Sequence, residues 1–141
     1  MIRRTMILAI GTTLLVAACG RAEVEPVAVN GTEVCTQTAD EGDVLWYDCQ
    51  DTTSDERVAG TLVVSVRMEH NPPTPMNGTI ALMNDGGAWQ GDWVGEIESD
   101  FNHIAEAVLI GSGDYEGLQY RARWEGIDYP LTITGTIEPL P

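Results

Sequence analysis

The residues able to do chemistry in this chain are few in kind. There are three cysteines, two histidines, and 22 Asp and Glu against 7 arginines, with no lysine. A zinc centre needs His or Cys side chains at ligand spacing; His70 and His103 have no such partners in step, so both read as surface histidines. Glu96, Glu98, Asp100 and Asn102 alternate along one stretch and could offer oxygens to calcium. The sharp-turn glycine and final glutamate of an EF-hand loop are absent in that register, so the stretch reads as a solvated face. Ser112, in Ile110-Gly111-Ser112-Gly113-Asp114, lacks the frame of a hydrolase nucleophile elbow and reads as a turn residue. Arg121 and Arg123 share one face of a strand pattern and could hold an anion, although pairing with Glu96 or Glu98 answers their charge more simply. These patterns give no catalytic set, no metal ligands and no cofactor motif.

The aromatic side chains form the other candidate site. Trp89, Trp93, Tyr115, Tyr120 and Trp124, with Trp46 as a further member, could line a cavity for a small apolar ligand; they would serve equally as ordinary core.

The cysteines report location. Residues 1–16 begin with Met-Ile-Arg-Arg-Thr and continue as an apolar stretch from Met6 to Val16, and Ala17-Ala18-Cys19 follows. A charged start, a short apolar middle and small residues before a cut make a secretory signal too short for a permanent membrane span. Val16-Ala17-Ala18-Cys19 resembles the lipobox of bacterial lipoproteins, with valine in leucine's usual place. The resemblance implies cleavage before Cys19 and diacylglycerol on its thiol, hence a membrane partner through lipid and a place in the cell envelope on the extracytoplasmic side. Two or three long acyl chains anchor stably where one does so marginally. Cys35 and Cys49 then remain as an even pair in an exported chain, and a structural disulfide is expected.

Residues 19–31 carry proline and charge without a useful period and read as a lipidated tether. Residues 32–141 read as one all-β domain: short runs rich in β-type residues, separated by Gly, Asn, Asp and Pro. In the run from Arg57 to Glu69, Leu62, Val64, Val66 and Met68 fall on one face; in the run from Ala88 to Glu98, Trp89, Gly91, Trp93, Gly95 and Ile97 share a side. Large rings alternating with glycine predict a tightly bent inner wall. Leu118, Tyr120, Ala122 and Trp124 form another inward set, as do Leu131, Ile133, Gly135 and Ile137. The proline-rich stretch from Asn71 to Pro75 reads as a loop. Seven or eight strands must close or stack to hide their edges, so an antiparallel barrel is expected, with a two-sheet sandwich as the alternative.

Asp85-Gly86-Gly87-Ala88-Trp89-Gln90-Gly91-Asp92-Trp93 and Gly111-Ser112-Gly113-Asp114-Tyr115-Glu116-Gly117-Leu118 together resemble uncharacterised bacterial surface lipoproteins. More distantly they are similar to the Gly-x-Gly-aromatic-x-Gly turn of allene oxide cyclase and dirigent barrels. That resemblance implies a barrel able to hold a small apolar molecule; it transfers no catalytic residue.

The net charge of −15 disfavours nucleic acid, whose binding relies on basic groups displacing counterions. The expectation is a non-enzymatic binding or interaction module for a small apolar ligand or an envelope protein. The alternative is a cyclase-like enzyme acting on an apolar substrate. That alternative requires a cavity with a buried carboxyl group of raised pKa beside an aromatic wall, and a filled barrel would exclude it.

Overall fold

The computed structural model describes residues 24–68 and 73–141. The signal segment and Cys19 lie outside the described residues, as does His70.

Eight antiparallel strands run in sequence order and close on themselves: β1 (Val27–Asp40), β2 (Leu45–Thr53), β3 (Gly60–Met68), β4 (Thr74–Asn84), β5 (Gly87–Ile97), β6 (His103–Gly113), β7 (Leu118–Gly126) and β8 (Leu131–Pro139). Closure is made by β1 on β8, paired from Val27↔Ile137 to Glu33↔Leu131, which leaves no sheet edge and rules out the sandwich. β1 therefore starts inside the stretch read as tether. Pro26 and Asn30-Gly31 suggested a broken chain, but Val29 is fully buried in the barrel core and Gly31 lies against the Thr52 carbonyl.

The period-two pattern positions the core. Leu62, Ile80, Leu82, Trp89, Trp93, Leu109, Tyr120, Trp124, Ile133 and Ile137 all point inward and are buried. Pro75, read as loop, belongs to β4. It sits beyond the last β3 pair, Met68↔Met76, where a missing amide donor is tolerated. Arg57, read as the start of a strand, lies instead in a single turn of 3-10 helix, η1 (Glu56–Val58), whose N-cap Asp55 accepts from the Arg57 backbone N–H.

This turn seals one end of the barrel. Val58 is fully buried there, and the Asn84 amide donates to the carbonyls of Glu56, Arg57 and Ala59 at 3.3, 3.0 and 3.1 Å. The Trp89 indole N–H donates to the Arg57 carbonyl at 2.7 Å, and the Tyr115 hydroxyl donates to Asn84 Oδ1 at 2.6 Å. Trp89 stacks on Tyr115, with ring centroids 5.1 Å apart, and meets the edge of Tyr120 at 6.1 Å.

Candidate functional site

Among the described residues, nothing seals the opposite end. There the β1–β2, β5–β6 and β7–β8 connections surround a cavity of about 110 Å³. Its wall is apolar: Val64 and Val66 from β3, Met76 and Ile80 from β4, Trp93 from β5 and Trp124 from β7. Tyr47, Met68, His103 and Tyr129 also line it, with Tyr129 47% exposed at the rim. The volume is below the roughly 150 Å³ of an engineered apolar cavity that takes up benzene, so only a small molecule, or the tip of a larger one, fits.

Trp93 is held by a gap in the sheet. Pairing between β3 and β4 passes from Val64↔Ile80 to Arg67↔Asn77, which frees the Ser65 carbonyl to accept from the Trp93 indole N–H at 2.9 Å. The Ser65 hydroxyl takes the Thr79 backbone N–H at 2.9 Å. Gly78 lets the ring pass: a Cβ there would run into the Ser65 carbonyl and the Trp93 indole nitrogen. The glycine–tryptophan alternation read from the sequence thus extends to the neighbouring strand.

Two carboxyl groups lie within the barrel on the inner side of a cystine. Cys35 and Cys49, opposite each other on β1 and β2, form the expected disulfide. The next inward pair, one step deeper, is Glu33 opposite Asp51. Glu33 is 7% exposed and lines the cavity; Asp51 is 1% exposed and lies behind it. A Glu33 oxygen and both cystine sulfurs lie within 4.8 Å of one another, but with the sulfurs bonded to each other this group is not a metal site.

Burial raises the pKa of both carboxyls well above the carboxylate range, because the charged forms are desolvated. The Glu33 charge raises Asp51 further, and the closeness of the two carboxyls favours Asp51 protonated and Glu33 ionised. The pair therefore retains a proton at neutral pH, held longest by the deeper group. The Trp124 indole N–H lies near enough to favour charge on Asp51, yet no donor of good geometry reaches either Asp51 oxygen among the described residues. The Tyr120 hydroxyl is likewise buried and unpaired; desolvation, then the Asp51 charge, raises its pKa.

The structure divides the aromatic candidates. Trp93 and Trp124 border the cavity, whereas Trp89, Tyr115 and Tyr120 pack together toward the sealed end. Trp46 is outside this set, on the outer face of β2, opposite Ser65 in the ladder. His103, expected on the surface, is half-buried at the mouth; burial lowers its pKa, and Asp128 opposes that shift. Arg121 and Arg123 do not meet Glu96 or Glu98, because β7 is flanked by β6 and β8 rather than β5. Arg121 pairs with Glu138 at 2.5 Å, and Arg123 with Glu106 at 2.7 Å and Glu125 at 3.1 Å. Glu98 instead accepts from the Asn102 amide at 2.8 Å in the β5–β6 loop.

Glu33 and Asp51 escaped sequence reasoning. In β1, Glu33 stands between polar Thr32 and exposed Val34, and in β2 Asp51 is followed by two threonines, so neither local pattern marks an inward face. A signal was available in the cysteines. If they bond across two antiparallel strands, residues two positions away on each strand, in mirror directions, share their face, and these are Glu33 and Asp51.

Comparison of the chain with family models, curated proteins and solved structures gives no match. No helix among the described residues is long and apolar enough to cross a membrane.

Proposed function

We propose that this chain is an exported, lipid-anchored protein of the cell envelope whose barrel binds a small, mostly apolar molecule. The observation that carries the binding reading is the open-ended cavity, walled by Trp93, Trp124, Met76 and Ile80 and bounded by one acidic side chain, Glu33. A concave apolar site with few, convergent polar groups is the usual form of a small-molecule site. The anchor rests on the resemblance of residues 16–19 to a lipobox, and mass spectrometry of the protein from its native cells tests it: an unmodified Cys19 or an uncut leader removes that part.

Binding is tested by titrating the full chain with small apolar probes while following tryptophan emission. A saturable change that is lost in Trp93→Phe is expected. No response to any probe would dispose of the reading.

A second reading has its own observation. The cavity and the buried carboxyl group demanded by an enzyme acting on an apolar substrate are both present in Glu33 and its partner Asp51. In that reading Glu33 moves a proton on the bound molecule. Chemical conversion of a bound probe, abolished by Glu33→Gln with binding retained, would favour it over simple binding.

A further inference from the structure

Among the described residues Glu33 has no cationic partner. Lysine is absent from the chain, and none of the described arginines lines the cavity. Arg57 is engaged by Asp55, Arg121 by Glu138, Arg123 by Glu106 and Glu125, and Arg67 is exposed on the barrel's outer side. A carboxylate taken out of water without a counter-charge is costly, and Asp51 behind it is another acid.

The rest of the cavity suits a cation. Tyr47, Trp93, Trp124 and Tyr129 line it, and the negative quadrupole of aromatic rings attracts ammonium groups. The described loops at the open end add Asp40, Glu41, Asp43, Glu98, Asp100 and Asp128 and no lysine or arginine, so the entrance concentrates cations and repels anions.

We infer that the bound molecule is a small apolar amine, taken as its ammonium cation, with its N–H groups toward Glu33 and its hydrocarbon against Trp93, Trp124, Met76 and Ile80. This rests on the reading of the barrel as a small-molecule binder. A carboxylate or phosphate ester meets the wrong charge throughout, and an uncharged molecule leaves Glu33 holding its proton and gains no charge pairing from it. The ammonium competes with the proton held by the carboxyl pair, so binding expels that proton and strengthens as pH rises. The groups facing Glu33 in this competition are Asp51 from β2, Tyr120 from β7 and Tyr129 from the β7–β8 loop. Tyr47 from β2 and His103 from β6 stand at the mouth.

Calorimetric titration of the full chain with n-propylammonium chloride and with its uncharged analogue 1-propanol, both small enough for a cavity of about 110 Å³, tests the inference, each at about pH 6 and pH 8. The ammonium is expected to bind about tenfold or more tightly than the alcohol at the higher pH and to weaken several-fold at the lower one, with alcohol binding unchanged. In Glu33→Gln the preference disappears while the alcohol still binds. Asp51→Asn leaves both the contacting carboxylate and its burial in place, so it keeps the preference and its pH dependence; it serves if Glu33→Gln fails to fold, and loss of the preference in it would overturn the placement on Glu33. Equal binding of the two probes, or an ammonium preference that survives Glu33→Gln, would overturn the amine assignment and leave the binding reading standing. Binding of neither would remove both.

Discussion

Replacing Asp51 by Asn should change how stability varies with pH, and the sign follows from the barrel's interior. Both members of the Glu33–Asp51 pair are buried, and desolvation raises both pKa values above those of an unfolded chain, with Glu33 pushed up to about 7. Between about pH 5 and neutrality the folded protein keeps two protons that the unfolded chain has released. Each such proton makes stability fall by about 1.4 kcal/mol per pH unit, so the pair contributes about 3 kcal/mol per unit over this window. The stabilisation is complete below the unfolded carboxyl pKa and is lost as pH rises through the folded values. In Asp51→Asn one proton is gone, while Glu33, whose pKa is raised by its own burial rather than by its acidic neighbour, keeps the other. The slope should drop by about half, so that two pH units bring the variant's stability up relative to the parent by about 3 kcal/mol. Urea unfolding under non-reducing conditions, followed by tryptophan emission at about pH 5, 6 and 7, measures this. The remaining carboxylates are common to both proteins and cancel in the difference. Parallel stability–pH lines for the two proteins would refute the argument, whatever their vertical offset.

Other outcomes follow from the same contacts. Asn84→Ala removes the amide that serves three carbonyls at the sealed end and should cost about 2–3 kcal/mol, read from the urea midpoint at constant m-value. Gly78→Ala places a methyl against the Ser65 carbonyl and should displace Trp93, shifting its emission and abolishing probe binding. Replacing Cys35 and Cys49 together by alanine opens a loop with a sequence separation of 14 and should lower stability by about 3 kcal/mol, seen as a lower melting temperature by circular dichroism.

The barrel was legible where side chains alternate cleanly. Leu62-x-Val64-x-Val66, Trp89 to Ile97 and Leu131 to Ile137 each declare an inner face, and each faces inward in the structure. Strand limits were harder. Val27 to Gly31 and Pro75 carry residues that ordinarily stop strands, and only the β1–β8 and β4–β5 pairings recruit them. Arg57 reads equally as strand or turn until Asn84 and Trp89, distant in sequence, bind its carbonyl. The aromatic half of the candidate site was visible because large rings stand out in a small domain. The acidic half was not, since a carboxylate in a period-two pattern reads as solvent-facing, and its burial depends on the cystine and on β8 lying across from it.

The strand count has a consequence for how the molecule meets its surroundings. With an even number of strands, the first begins and the last ends at one pole, and Val27 and Pro139 both lie at the end that η1 plugs. A body suspended by lipid on Cys19 would hang from its blind pole, with Phe101, Ile127 and Tyr129 directed away from the bilayer. Cargo would then arrive at Glu33 from the aqueous side, and one dissolved among acyl chains would first have to leave them.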